Sequence, residues 1–197
     1  GLLREFGGSR LARHAHLPLQ SGSDSVLRRM HRRYRPWHYA EKVHSLLAAA
    51  GPELTLGADV MAGFPGETDR EFQETVDVIQ QLPFGYLHLF PFSPRPGTPG
   101  WDLHRRHPVP AATVEERMRI LRGIAREKTH AHRAAAVGTS LECVTLHTPE
   151  PIRLQGRTAA LSDTFLPVEI EGAYPANALL RVRFTALTAA ATLIAHL

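Results

Sequence analysis

Three short segments of this 197-residue chain join glycine to polar, aromatic or cationic side chains at spacings that suit ligand binding. The first is Leu17-Pro18-Leu19-Gln20-Ser21-Gly22-Ser23, expected at the C-terminal end of a strand. Gln20, Ser21 and Ser23 offer neutral hydrogen-bonding groups, and Gly22 admits a close backbone approach. A Ser-Gly-Ser step is also ordinary turn composition. The second is Gly63-Phe64-Pro65-Gly66-Glu67-Thr68, between an expected strand and an expected helix. Two glycines and a proline fix its backbone path, amides at the helix start could meet an anion or a polar ligand edge, and Phe64 could flank a flat ring. No Gly-Lys-Ser/Thr follows, so it is not a P-loop; a rigid turn fits as well as a ligand loop. In the third, Arg95 stands among Pro91, Pro94, Pro96 and Pro99. Stiffness there lowers the entropy cost of presenting a guanidinium to an anion, and a stiff structural loop is the other reading.

The remaining reactive side chains carry less. His14 and His16 share one face of a strand, and His104 and His107 are three apart in an irregular stretch. Neither pair has a third ligand at metal spacing in the sequence, so packing or surface placement is favoured. Asp59 lies in an apolar strand, where a structural hydrogen bond is expected. Ser21 has no evident His and Asp partners, which argues against a serine hydrolase. Cys143, beside Leu141 and Val144, reads as a buried, inert thiol.

The elements that must hold these residues follow from periodicity. Strands are expected at 14–20, 54–62 and 85–92. Between them lie a helix starting near an N-cap at Ser23, a helix from Pro36 with apolar residues Tyr39, Val43, Leu46, Leu47 and Ala50, and a helix from Thr68. Thr68 with Glu71 makes a capping box. That last helix should bury Phe72, Val76 and Ile79 and expose Glu74 and Asp77. Strand and helix alternation implies right-handed crossovers and a parallel sheet. Residues 93–110 are proline-rich and read as a fixed irregular loop, followed by a long helix over 113–133. After 134–138 come short β-rich runs at 141–147, 152–160, 164–170, 179–187 and 190–196, the pattern of a small antiparallel barrel.

Composition narrows the classes. At 43% hydrophobic the chain can bury a core. No run of 18 apolar residues exists, so a helical membrane span is not expected. A single cysteine excludes a disulfide scaffold and a cluster held by cysteines of this chain alone. The first residue is Gly1, and residues 1–16 lack the apolar core of a leader; a cytoplasmic location is expected. The net charge of +4 is uneven: +6 over residues 1–50, −5 over 51–100, +4 over 101–135 and −1 over 136–197. Lys42 and Lys128 are the only lysines. The densest cationic cluster, Arg28, Arg29, Arg32, Arg33 and Arg35, fits either a solvated helix face or a phosphate-binding face.

Each motif alone is weak, but their order and spacing are specific. HLPLQSGSDSVLRRMHRRY, GADVMAGFPGETDREF and YLHLFPFSPRPGTPG together resemble the later part of the radical S-adenosylmethionine methylthiotransferases. Residues 137–197 resemble their closing TRAM domain, including the Gly156-Arg157-Thr158 step. The resemblance implies the second half of an open parallel (β/α)6 barrel over residues 1–135, then a five-stranded antiparallel, OB-like barrel over 136–197. It implies insertion of a methylthio group into an unreactive C–H bond, with S-adenosylmethionine and two four-iron four-sulfur clusters as cofactors. By motif match, Gln20, Ser21, Gly22, Gly63, Phe64, Pro65 and Gly66 should line the S-adenosylmethionine site. Arg95 should face the substrate, and Arg153, Arg157, Arg181 and Arg183 of the TRAM-like part should meet tRNA. The Tyr86–Ser93 segment and the following Arg95-Pro96-Gly97-Thr98-Pro99 look most like the branch acting on threonylcarbamoyl-adenosine beside the tRNA anticodon. The isopentenyl-adenosine branch and the branch modifying a ribosomal-protein aspartate are the alternatives.

The family's radical cluster needs Cys-x3-Cys-x2-Cys and the second cluster three more cysteines, none of which is present. The chain is therefore expected to be a C-terminal portion, inactive without the N-terminal part of the same protein. Strand 14–20 is expected to expose a sheet edge. A stand-alone tRNA-binding module is the alternative of another class, and predicts strongly salt-dependent RNA binding.

Overall fold

The structure is a computed structural model and describes residues 11–197. Residues 1–10, with the start of the expected first domain and most of the stretch inspected for a leader, lie outside the described residues. The chain divides into two compact units. One is built from His16–Leu46 and Leu56–Lys128, the other from residues 11–15, Leu47–Thr55 and Thr129–Leu197.

The first unit rests on a three-stranded sheet in the order β1 (His14–His16), β2 (Thr55–Ala62), β3 (Tyr86–Pro91), with β2 and β3 parallel. Among the described residues β1 is an edge strand, as its sequence position implied. It is shorter than the expected 14–20, but contact with β2 continues beyond it: the Leu17 and Leu19 N–H groups donate to the Gly57 and Asp59 carbonyls at 2.9 and 3.1 Å, and a parallel bridge joins Gln20 to Val60. Four helices alternate with or follow the strands: α1 (Asp24–Arg29), α2 (Pro36–Ala50), α3 (Asp69–Gln81) and α4 (Pro99–Arg106). A fifth, α5 (Ala111–Ala136), runs on from this unit at Lys128 into the other.

Period-two patterning decides the two faces of the sheet. Leu56, Ala58, Val60 and Ala62 are buried, whereas Asp59 and Met61 on the opposite side are half-buried. The core of the unit collects Leu19, Val26, Leu27, Val43, Ile79 and Leu121, all fully buried. Each such aliphatic side chain contributes about 1.5–3 kcal/mol when removed from water. Helix α2 begins at Pro36 and stops before Gly51, whose φ of 83° ends it. The expected capping box on α3 is present: Thr68 accepts from the Glu71 N–H while Glu71 accepts from the Thr68 N–H.

Three local expectations are corrected. Ser23 precedes α1 but makes no side-chain cap; its hydroxyl donates to Glu74 at 2.6 Å instead. Glu74 is accordingly half-buried rather than exposed. Residues 93–110 are not wholly irregular, because Pro99 takes the first position of α4 and Thr98 caps it by accepting from the Trp101 N–H.

The second unit is a closed barrel of β4 (Ser140–Thr145), β5 (Arg157–Ser162), β6 (Pro167–Glu171), β7 (Leu179–Leu187) and β8 (Leu193–His196), in the spatial order β4-β5-β6-β8-β7. A short helix, α6 (Glu150–Arg153), occupies the start of the stretch expected as its second strand. The barrel is mixed rather than wholly antiparallel, since β6 and β8 run parallel and the other four pairings are antiparallel. The cause is parity: strand directions cannot alternate around a closed ring of odd number, so at least one pair must be parallel. Leu141, Cys143, Val168, Ile170, Val182, Phe184 and Leu193 fill the interior. Cys143 is buried as expected, and burial, with Asp163 nearby, pushes its thiol up to about 12.

Candidate active site

The C-terminal ends of the three parallel strands bring the three sequence motifs together. A cleft of about 260 Å³ is lined by Gln20 from the first motif, Met61 and Phe64 from the end of β2 and its loop, and Phe92 beyond β3, with Arg29 and Gly100 on its walls. This is the position where open α/β sheets bind ligands. Phe64 and Phe92 meet edge to face with centroids 5.3 Å apart.

A bulge aims Gln20 at the cleft. The N–H groups of both Leu19 and Gln20 donate to the Asp59 carbonyl, at 3.1 and 2.7 Å, and the Met61 N–H donates to the Gln20 carbonyl at 2.8 Å. Two residues thus oppose one, and Gln20 takes a φ of 64°. Such left-handed backbone at a non-glycine costs about 1 kcal/mol or more and tends to persist at binding sites. Tyr34 and Tyr39 brace this strand end, donating to the carbonyls of Leu19 and Leu17 at 2.9 and 2.7 Å.

Ser21 and Gly22 do not line the cleft. Ser21 is fully buried with its hydroxyl 3.1 Å from that of Thr75, and the Gly22 N–H donates to the same Thr75 oxygen at 3.0 Å. A Cβ on Gly22 would stand 2.7 Å from the Glu74 carbonyl oxygen and the Thr75 Cα, so only glycine lets this turn press against α3.

The Gly63–Gly66 loop is held from within. The Gly63 N–H donates to Glu67 at 2.7 Å, the Gly66 N–H to the His107 carbonyl at 2.8 Å, and the Glu67 N–H to the Phe64 carbonyl at 2.9 Å. These amides are committed to the loop, so it is not the open anion cradle that its composition allowed. Glu67 is buried and receives Arg117 at 2.9 Å; the other guanidinium arm reaches Asp69 at 2.8 Å. Burial raises the Glu67 pKa, and the Gly63 N–H and Arg117 oppose that rise without cancelling it. Gly63 has a φ of 78°, and a Cβ there would fall 2.5 Å from Val114 on α5. Pro65 is buried within the same turn.

On the wall of the cleft, Arg29 pairs with Glu71 at 2.8 Å. Burial alone would raise the Glu71 pKa. Hydrogen bonds from Arg29, Ser25 and the Thr68 N–H, with the guanidinium charge, bring it down to about 2.

The expected cationic contacts are dispersed. Arg95 is exposed on the loop before α4. In the barrel, Arg157 pairs with Glu169 at 3.0 Å and Arg153 with Glu150 at 3.7 Å. Arg181 is in register with Glu142, and Arg183 is exposed two residues on. Strand β4 separates β5 from β7, so acidic groups interleave with the four arginines.

One cluster went unseen in the sequence. On the open side of the sheet, Asp59 Oδ1 lies 3.0 Å from His16 Nε2 and 3.4 Å from His88 Nδ1. The two expected histidine pairs are thus regrouped: His16 joins His88, while His14 stacks on Phe165 at 4.5 Å. The available signal was parity, because Gly57, Asp59 and Met61 face one way on β2, and Tyr86, His88 and Phe90 face the same way on β3.

Residues 2–79 match the Radical SAM superfamily. Among curated proteins, the chain is 42% identical over 129 residues to a tRNA-2-methylthio-N(6)-dimethylallyladenosine synthase of Acidithiobacillus ferrooxidans, covering 66% of this chain and 28% of that protein. The synthase of the same name from Neisseria meningitidis is 37% identical over 152 residues, 76% of this chain and 34% of its own length. That from Thermus thermophilus is 43% identical over 115 residues, covering 56% and 23%. The chain therefore spans about a third or less of the length of these relatives. Similarity to radical S-adenosylmethionine tRNA methylthiotransferases agrees with the motif order. The dimethylallyl name differs from the threonylcarbamoyl branch suggested by residues 86–99. No described helix is long and apolar enough to cross a membrane.

Proposed function

We propose that this chain is the substrate-side portion of a tRNA methylthiotransferase acting on threonylcarbamoyl-adenosine, with residues 1–135 forming half of the catalytic barrel and 136–197 a tRNA-binding TRAM domain. The observation that carries the reading is the convergence of all three motifs on one cleft at the C-terminal ends of adjacent parallel strands.

The cleft suits S-adenosylmethionine in chemistry. Met61, Phe64 and Phe92 offer an apolar and aromatic wall for a purine, and the Gln20 amide and Arg29 offer polar contacts. S-adenosylmethionine, if held here and reduced by a four-iron four-sulfur cluster outside this chain, would supply the species that removes the substrate hydrogen, and a second cluster would supply sulfur. The residues of this chain bind and orient. Gln20 and Phe64 touch the cofactor, while Ser21, Gly22, Gly63, Pro65 and Gly66 fix the backbone that presents them. Arg95 faces the substrate nucleotide, and Arg153, Arg157, Arg181 and Arg183 meet tRNA phosphates. A cytoplasmic location fits such work.

Two features support the threonylcarbamoyl branch: the Tyr86–Ser93 segment, and a polar open face at His16, Asp59, Tyr86 and His88. A threonylcarbamoyl group carries a carboxylate and a hydroxyl, whereas a dimethylallyl group carries neither. The names of the relatives favour dimethylallyl-adenosine as a second reading. Mass spectrometry of nucleosides from tRNA of a strain lacking the gene tests both. Loss of the methylthio form of threonylcarbamoyl-adenosine is the expected result. Loss of the dimethylallyl counterpart would establish the second reading, and no change in either would sink the reading as a tRNA methylthiotransferase.

A further inference from the structure

We infer that His16, Asp59 and His88 form a binding site for a divalent transition-metal ion of the zinc class on the open face of the parallel sheet. The same polar face supports the threonylcarbamoyl branch, but the metal site rests on the geometry of the three side chains and holds for either nucleoside. The three residues come from three adjacent strands, and Asp59 and His88 are direct register partners. One ligand atom from each lies within 4.8 Å of the others. The contacts at 3.0 and 3.4 Å place both imidazoles against the same carboxylate oxygen. Two imidazole nitrogens and one carboxylate oxygen on one side of an ion are a donor set suited to zinc, iron or cobalt, with positions left open for an exogenous oxygen.

The site has a supporting shell. The second ring nitrogen of His16, Nδ1, lies 3.0 Å from the Tyr86 hydroxyl, which leaves Nε2 directed at Asp59. A partner on the far nitrogen is what orients metal-bound histidine. Tyr86 reaches this position because its register partner is Gly57: a Cβ on that residue would fall 2.0 Å from the tyrosine ring. The rings of His16 and His88 are 5.2 Å apart, and that of Tyr86 is 5.1 Å from His88. His88 is more than half exposed, which gives an ion access from solvent.

Titration of the purified metal-free 197-residue chain with Co(II), followed by its visible d–d absorption, tests the site. The expected result is one equivalent bound and displaced by Zn(II). Asp59→Asn and His88→Ala should each weaken binding more than tenfold. Tyr86→Phe should weaken it about tenfold, as loss of an orienting partner does. A double substitution of His104 and His107 should leave it unchanged. Zn(II) should also raise the melting temperature of the wild-type chain and leave that of His88→Ala unmoved, a readout that needs no chemistry from the enzyme. Absence of a d–d band, or a band unchanged in Asp59→Asn and His88→Ala, would overturn the proposal and leave the three residues as a hydrogen-bond network only. Circular dichroism of each variant separates lost binding from lost fold.

Discussion

The two units of this chain treat charge in opposite ways. The α/β unit takes ionic groups inside: Glu67 and Arg117 are buried together behind the Gly63–Gly66 loop, and Glu71 is buried against Arg29 beside the cleft. The barrel keeps an apolar interior around Phe184 and spreads its arginines and acids over the outside. Buried ion pairs are poor sources of stability compared with apolar packing. Among the described residues, buried charged side chains occur in the first unit, where they hold the Gly63–Gly66 loop and the wall of the cleft in place. The barrel is shaped as a self-contained platform.

Substitutions probe that contrast, and the largest effect should come from the barrel. Phe184→Ala removes a fully buried ring and should cost about 4 kcal/mol in chemical denaturation. A cost below about 1 kcal/mol would break the description of an apolar, close-packed interior.

Arg117→Met, which leaves Glu67 buried without its cation, should cost about 3 kcal/mol. Because the Glu67 pKa is raised in the fold, stability is favoured while the group is protonated and falls as pH rises through the raised value. The loss should therefore be greater near neutral pH than in mild acid. The double variant with Glu67→Gln should recover part of it. A pH-independent loss would show that packing, rather than charge, is what Arg117 supplies.

Gly63→Ala meets both the positive φ and Val114, and should cost about 2 kcal/mol while weakening S-adenosylmethionine binding measured by calorimetry. Glu71→Gln should cost about 1–2 kcal/mol. The wild-type Glu71 contribution is complete above its ordinary value of 4.5 and is lost as pH falls through about 2. The variant should lack that part of the acid dependence, which acid titration followed by circular dichroism would detect. Smallest of all, Arg157→Gln should change stability by about 1 kcal/mol or less, since its partner Glu169 is on a neighbouring strand of a partly solvated surface. It should still lower tRNA affinity in a salt-dependent binding assay if the barrel meets phosphate.

Local grammar explains how much of this was legible beforehand. The parallel order of the strands follows from the alternation of strand and helix along the chain, and the capping box at Thr68 and the stop at Gly51 each depend on residues within a few positions of one another. So did the expectation that Cys143 is inert. The misses depend on partners far apart in sequence. Ser23 has the composition of a helix cap, but Glu74, some fifty residues on, takes its hydroxyl. The amides of the Gly63 loop looked available because nothing local shows that Glu67 folds back on Gly63 or that His107 covers Gly66. The grouping of His16, Asp59 and His88 required three strands in known register. Helix α4 was hidden by prolines that mark loops in general but suit a first helical turn.

The parallel β6–β8 contact has a consequence for how the barrel assembles. Strands β4 to β7 alone make a four-stranded antiparallel sheet, β7-β4-β5-β6, with two open edges. The strand that joins those edges, Leu193–His196, is the last of the five in chain order. On the ribosome the barrel must wait as an unsealed sheet until that segment emerges, and sealing it closes a loop back to Val168. In pulse-labelled hydrogen exchange during refolding, β8 and the facing edge of β6 should be the last amides in the barrel to gain protection.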